Sequence, residues 1–136
     1  MKRWDRWLET MKNRILVVDD DVDFAEELHE LLSLSGYSPI TVNDSAEAVS
    51  VARKTRPDLI IIDIKMQGLN GFQIADKLNQ FSETWDIPVI AMTGYYINGE
   101  HMPLMTMLGM RTLLKKPFQP LTLIAGIEAA LNEKNR

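Results

Sequence analysis

The sequence contains no cysteine among its 136 residues. A disulfide framework, a thiolate zinc site and a cysteine nucleophile are therefore excluded. Its longest apolar runs, such as Leu59–Ile62, are far shorter than the ~18 residues that a membrane span requires, and membrane association is not expected. No apolar stretch of a secretory signal follows the basic first residues, so we expect a cytoplasmic protein.

An excess of basic charge is also missing. Lys and Arg number 15 against 19 Asp and Glu, which gives a net charge of −4. This balance argues against direct binding to nucleic acid, since such proteins usually carry a basic patch or excess. The hydrophobic fraction of 46% and the charged fraction of 25% are ordinary for a globular chain, and the length suits a single domain.

Short β-type runs alternate with amphipathic helical segments along the chain. The predicted strands are Ile15–Val18, Pro39–Val42, Leu59–Ile62, Pro88–Met92 and Thr112–Leu114. The predicted helices lie near 24–32, 45–55, 74–81, 104–108 and 123–131. Continuous apolar runs of this length suit parallel strands that are buried on both faces. The sequence therefore predicts a doubly wound (βα)₅ fold of the α/β class, with helices on both faces of a five-stranded parallel sheet.

Three local signals refine the helix boundaries. Asp44 and Glu47 resemble a capping box at the start of the second helix. Pro103 is tolerated only in the first turn of a short fourth helix, and Pro120 suits the first position of the fifth.

Residues 1–13 form an extension that stands apart from the alternating pattern. Its apolar residues at helical spacing are Trp4, Trp7, Leu8 and Met11. A short amphipathic helix packed on its own domain or on a partner, a frayed or artefactual extension, and a membrane-surface segment remain three alternatives. The main domain is expected over 14–133, followed by a polar tail at 134–136 and no output domain.

Polar residues close the predicted strands. They are Asp19 and Asp20 after the first, Asp63 after the third, Thr93 after the fourth, and Lys115, Lys116 and Pro117 after the fifth. Ligands of a doubly wound sheet bind outside the carboxyl ends of its strands. Clustered carboxylates raise one another's pKa, and a hard divalent cation such as Mg²⁺ relieves this repulsion. A lysine beside them can pair with a phosphoryl group, for which Asp is a known nucleophilic acceptor.

Four stretches carry a specific resemblance. They are Ile15–Asp21 (ILVVDDD), Pro57–Met66 (PDLIIIDIKM), Pro88–Gly94 (PVIAMTG) and Lys115–Phe118 (KKPF). In this order and spacing, the chain resembles a response-regulator receiver domain of the CheY-like superfamily over about residues 13–133. The resemblance implies a flavodoxin-like strand order 2-1-3-4-5.

The resemblance also implies roles at the metal site. Asp63 is the expected phosphoacceptor and one of the metal ligands. Asp20 is expected to bind Mg²⁺ directly, and Asp19 mainly through water. Lys65 is expected to offer its backbone carbonyl to the metal. Asp21 leaves the acidic register open by one residue, although the length of the first strand favours Asp19 and Asp20.

The remaining implied roles concern switching. Thr93 is the expected switch hydroxyl, and Lys116 is the expected phosphate-pairing lysine, with a cis bond to Pro117. Leu113 occupies the position where the family often has an aromatic switch residue, which puts that half of the switch in doubt. Tyr95 and Tyr96 are either substitutes for it or simply surface tyrosines.

Two further departures lie near the phosphoacceptor. Gln67 replaces the family's proline, which predicts a more flexible loop. The side chain of Lys65 is expected to lie beside the phosphoryl group on Asp63 and to slow hydrolysis of the acyl phosphate.

Methionines cluster around the fourth helix. They are Met102, Met105, Met107 and Met110. They serve either core packing or an adaptable partner surface, since methionine recurs at promiscuous binding surfaces.

The sequence thus favours a stand-alone receiver of a two-component or phosphorelay system. A histidine kinase or histidine phosphotransfer protein would phosphorylate it with Mg²⁺, and a downstream protein would bind its fourth-helix to fifth-helix face. We expect no classical enzyme, since the chain would catalyse only its own phosphorylation and dephosphorylation. The alternative is a degenerate receiver that binds its partner as a scaffold, regardless of phosphorylation.

Overall fold

The computed structural model describes residues 13–94 and 101–134. Strands and helices alternate through both ranges. The strands are β1 (Arg14–Val18), β2 (Ser38–Val42), β3 (Leu59–Asp63), β4 (Val89–Thr93) and β5 (Met110–Lys115). The helices are α1 (Val22–Leu34), α2 (Ala48–Thr55), α3 (Gly71–Leu78), α4 (His101–Met107) and α5 (Pro120–Lys134), with a 3₁₀ turn at Ser45–Glu47. The strands form one parallel sheet in the order β2-β1-β3-β4-β5, which confirms the predicted fold and strand order.

The strand register brings the carboxyl ends of the central strands to one level. Val18 at the end of β1 lies opposite Val42 on one side and Ile62 on the other. On the far side of the sheet, Thr93 lies opposite Lys115. The residues that directly follow these strands therefore meet at a single edge.

Two apolar layers cover the sheet, as expected for buried parallel strands. On one face, α2, α3 and α4 pack on alternate strand residues such as Leu16 and Ile60. On the other face, α1 and α5 pack on the intervening residues such as Val17 and Ile61. β3 is buried along its whole length, because it lies at the centre of the sheet beneath both layers.

The third helix begins earlier than the apolar spacing alone indicated. α3 starts at Gly71, where Asn70 and Gln73 form a capping box, and it ends at Leu78. Phe81 therefore lies beyond the helix, where the guanidinium of Arg53 sits 3.9 Å from the centre of its ring.

The predicted capping box of the second helix is wrong. Asp44 accepts a hydrogen bond from the N–H of Ala46, only two residues on, and so caps the 3₁₀ turn instead. α2 then begins after Glu47, whose side chain makes no capping hydrogen bond. A short acidic side chain often bonds the backbone two residues later, and that turn competed with the helical cap.

The proline signals are confirmed at both later helices. Pro103 lies in the first turn of α4, and Pro120 is the first residue of α5. Met105 and Met110 are buried and serve core packing, whereas Met102 and Met107 are exposed, as the alternative of a partner surface requires. No helix in the described ranges is long and apolar enough to cross a membrane.

Candidate functional site

Three carboxylates meet at the edge where β1 and β3 end. Asp19 follows β1 directly, and Asp63 is the last residue of β3. These strands are neighbours with Val18 opposite Ile62, so the two acids come side by side. Together with Asp20 they can present oxygens that all lie within 4.8 Å of one another. The structure thus brings together the three acids that the sequence had selected.

Asp19 is fully buried, and both of its carboxylate oxygens accept hydrogen bonds. The N–H of Asp21 donates to Oδ1 at 3.0 Å, and Nζ of Lys116 donates to Oδ2 at 2.6 Å. The side-chain amide of Asn43 also donates to the Asp19 backbone carbonyl at 2.9 Å. This carboxylate is therefore held firmly by the protein itself.

Asp20 and Asp21 differ in the contacts that their carboxylates make. The exposed carboxylate of Asp20 accepts a hydrogen bond from the N–H of Gln67 at 3.0 Å. Asp21 is the N-cap of α1 and accepts from the N–H of Phe24 at 3.1 Å. Asp19 and Asp20 thus belong to the acidic cluster, whereas Asp21 caps α1. This resolves the one-residue ambiguity that the sequence left open.

Lys116 provides the cation of the site. Its Nζ lies 2.6 Å from Asp19 Oδ2 and 3.3 Å from Asp63 Oδ2. Its N–H donates to the carbonyl of Thr93 at 2.7 Å, which fixes the backbone beside β4, and its bond to Pro117 is cis as predicted. Burial would lower the pKa of this ammonium, but the hydrogen bonds and charges of Asp19 and Asp63 outweigh it and raise the pKa.

The surroundings of Asp63 disfavour the charged form of its carboxyl group. Burial, followed by the neighbouring charge of Asp19, raises the pKa of the Asp63 carboxyl to about 6. Lys116 acts to lower that pKa, but it lies closer to Asp19 and is largely compensated there. Repulsion between the carboxylates of Asp19 and Asp63 thus remains beside Lys116, and a further cation would relieve it.

The donor set fits Mg²⁺. All three side chains offer carboxylate oxygens, the hard ligands that Mg²⁺ prefers, and the site opens to solvent, from which the ion keeps part of its water shell. A cleft of about 430 Å³ opens at the site, and it is lined by Asp20, Asp21, Asp63, Lys65, Gly94 and Lys116. The cleft has room for a phosphoryl group beside Asp63.

The predicted switch residues lie on the neighbouring strands β4 and β5. Thr93 is the buried last residue of β4, next to the site. Leu113 in β5 lies opposite Ala91 of β4. Its half-buried side chain packs against the apolar layer beneath α4. Tyr95 and Tyr96 fall outside the described ranges, as does the amphipathic extension over residues 1–12.

Several residues that shape the site escaped the sequence motifs. The ring of Phe24 lies 4.1 Å below Lys116 Nζ, and the Ser45 hydroxyl bonds the loop after β3. At Gly71, a Cβ would lie 2.8 Å from the carbonyl oxygen of Asp63 and 2.9 Å from Ile64 Cα, so only glycine lets α3 start this close to β3. No sequence motif marked Phe24 or Ser45 as part of the site, because their contacts cross between segments that are distant in the chain.

Comparison with known proteins identifies the family of this chain. A family model for the response regulator receiver domain matches residues 15–128. The DNA-binding response regulator MtrA of Mycobacterium tuberculosis is 31% identical over 128 residues, which are 94% of this chain and 54% of that protein. A probable transcriptional regulator, ycf27, of Guillardia theta is 33% identical over 95% of this chain and 49% of its own. The chain thus spans about half the length of these curated relatives.

Solved structures agree with the family match. The chemotaxis protein CheY4 of Vibrio cholerae superimposes with a TM-score of 0.82 at 28% identity, covering 88% of this chain and 98% of that one. A CheY-like receiver domain from Methanospirillum hungatei reaches 0.83 at 24% identity, over 91% of this chain and 97% of its own, and so supports the fold alone. The chain belongs to the response regulator receiver domain family, whose members are two-component signalling domains phosphorylated on aspartate.

Proposed function

We propose that the chain accepts a phosphoryl group on Asp63 from a histidine kinase or a histidine phosphotransfer protein and passes the signal to a protein partner. The observation that carries this proposal is the placement of Asp63 within one cluster with two further acids and within 3.3 Å of Lys116. This arrangement can hold an acceptor carboxylate, a cation and a phosphate-pairing lysine together at the mouth of an open cleft.

The transfer balances without any further reactant. A carboxylate oxygen of Asp63 attacks the phosphorus of a phosphohistidine, the N–P bond breaks, and its electron pair returns to the imidazole nitrogen. Lys116 already contacts the acceptor carboxylate and would pair with an incoming phosphoryl oxygen. Mg²⁺, when bound, would neutralise charge on the phosphoryl oxygens and the carboxylates.

The acids would divide the metal-binding work as the family resemblance implies. Both oxygens of Asp19 already accept hydrogen bonds within the protein, which supports contact with the ion through water. Asp20 is exposed, and Asp63 lies beside the cleft, which supports direct ligation by both. The backbone carbonyl of Lys65 would complete the protein's share of the ligands.

Signalling would follow from movement at β4 and β5. Thr93 and Lys116 are joined by the backbone hydrogen bond at 2.7 Å, so a phosphoryl group that engages both side chains would act on one connected unit. The exposed Met102, Met107 and Leu121 on α4 and α5 would offer apolar contacts to a partner. With a net charge of −4, we propose a protein as that partner rather than nucleic acid, and the cytoplasm as the place of the reaction.

The proposal also keeps the predicted limits of the receiver domain, residues 14–133. Both named relatives are roughly twice as long as this chain, and the name of MtrA includes DNA binding. A second candidate function is a scaffold that ignores phosphorylation, and Leu113 in place of the usual aromatic favours it. Equal partner affinity of the phosphorylated and unphosphorylated chain would select the scaffold.

Intact-mass measurement after incubation with acetyl phosphate, with and without Mg²⁺, tests the chemistry. Asp63→Asn is the control, because it keeps the shape of the side chain and removes the acceptor. One phosphoryl group that requires both Mg²⁺ and Asp63 supports the proposal. A folded chain that binds Mg²⁺ but takes no phosphoryl group from either acetyl phosphate or a kinase would contradict it.

A further inference from the structure

The loop between β3 and α3 is wrapped around one buried hydroxyl. Ser45, in the 3₁₀ turn before α2, is 4% exposed. Its Oγ donates to the carbonyl of Gln67 at 2.8 Å and accepts from the N–H of Leu69 at 3.0 Å. Between these two residues, Gly68 has a φ of +81°, and a Cβ there would lie 2.6 Å from that same oxygen. The hydroxyl therefore fixes the backbone of 67–69 tightly.

The same loop reaches the acidic cluster through its backbone. The N–H of Gln67 donates to Oδ2 of Asp20 at 3.0 Å, across a sequence separation of 47 residues. Asp20 is exposed, so without a partner its side chain would sample several rotamers. The loop thus holds the one acid of the cluster that the sheet does not bury.

We propose that the main-chain N–H of Gln67, held in place by Ser45, positions the Asp20 carboxylate for the divalent cation. The inference rests on the proposed function and names positioning groups for its metal site. A carboxylate that accepts this bond through Oδ2 keeps Oδ1 available to a cation. The bond also ties Asp20 to the segment that carries Lys65, two residues earlier, so two proposed ligands move as one unit.

The physical effect is preorganisation. Outer hydrogen-bond partners of metal ligands fix their orientation, and losing one typically weakens metal binding by about 10–100-fold. Since Asp20 is exposed and water can replace part of the lost bond, we expect about tenfold, the lower end of that range. Gln67 has no positive φ, so proline, which lacks the N–H, does not meet a left-handed backbone there.

The test compares Gln67→Pro with Gln67→Ala in the full chain. Titration with MgCl₂, followed by amide chemical shifts, gives the Mg²⁺ affinity of folded protein directly. Proline should raise the Kd about tenfold, whereas alanine, which keeps the N–H, should stay within about twofold of wild type. Equal Kd values in wild type and Gln67→Pro, or an alanine variant as weak as the proline variant, would overturn the inference.

A second measurement avoids the case in which the proline variant fails to fold. Without metal, the Gln67 amide should exchange its hydrogen at least about tenfold faster in Asp20→Ala and in Ser45→Ala than in wild type. The amides of β3 serve as internal controls for global stability, and equal exchange at Gln67 would overturn the inference. If wild type binds Mg²⁺ and takes a phosphoryl group while these variants match it, only this inference fails. A wild-type chain that binds no Mg²⁺ overturns both this inference and the proposed function.

Discussion

Replacing Asp63, the proposed acceptor, by asparagine should stabilise the metal-free protein at alkaline pH. The carboxyl is buried beside Asp19, and its pKa is raised from 3.8 to about 6. Asparagine keeps the volume of the side chain and removes the charge. The substitution therefore relieves a repulsion that the folded chain otherwise carries, and the cost is the loss of the Lys116 contact at 3.3 Å.

The magnitude follows from the two pKa values. A difference of about two pH units corresponds to about 3 kcal/mol of folding free energy at pH values above both, which is a ceiling. The pKa of about 6 already includes the opposing effect of Lys116, and water in the open cleft screens part of the remaining repulsion. We expect a net gain of about 1–2 kcal/mol for Asp63→Asn in EDTA near pH 8, or about 1 M in the urea midpoint.

The sign reverses the usual behaviour of an acidic residue. Because folding raises the pKa of Asp63, its stabilising contribution is fully present below about pH 4 and is lost as the pH rises through about 6. The advantage of Asp63→Asn should therefore shrink towards acid. Urea unfolding in EDTA across this range, followed by circular dichroism, measures it. A difference between the two proteins that stays constant across the pH range would refute the reasoning.

Three further outcomes are expected. Lys116→Met leaves Asp19 buried without its ion pair and should cost about 3 kcal/mol in EDTA at neutral pH, measured by urea unfolding; a loss below about 1 kcal/mol would contradict it. Gly71→Ala drives a Cβ against backbone at 2.8 Å and should cost about 2–4 kcal/mol, whereas Gly126→Ala, with its nearest neighbour at 3.7 Å, should change stability little. Lys65→Asn should speed the loss of the phosphoryl group from Asp63 by about 3–10-fold, because the exposed lysine in the cleft is expected to impede the attacking water. A mass-spectrometric time course measures this rate, and an unchanged or slower rate would contradict the expectation.

The sequence predicted the fold because its signals are local and agree with one another. Apolar runs such as Leu59–Ile62 indicate buried parallel strands. Acids that directly follow two such strands lie close together once the strands are neighbours in the sheet. The capping of the second helix was missed, since Asp44 has two backbone donors within reach and only the folded chain selects one. Nor did any motif reveal Ser45, because its partners Gln67 and Leu69 lie more than 20 residues away.

The ion pair between Lys116 and Asp19 joins residues 97 positions apart, which directly follow β5 and β1. During synthesis the three acids exist long before Lys116, so a chain that stops short of β5 lacks the ammonium that contacts Asp19 and Asp63. The proposed pairing of Lys116 with a phosphoryl group therefore requires that β5 has docked beside β4. The proposed acceptor site is in this way a property of the completed domain, and we expect chains that stop short of β5 to be poor phosphoryl acceptors.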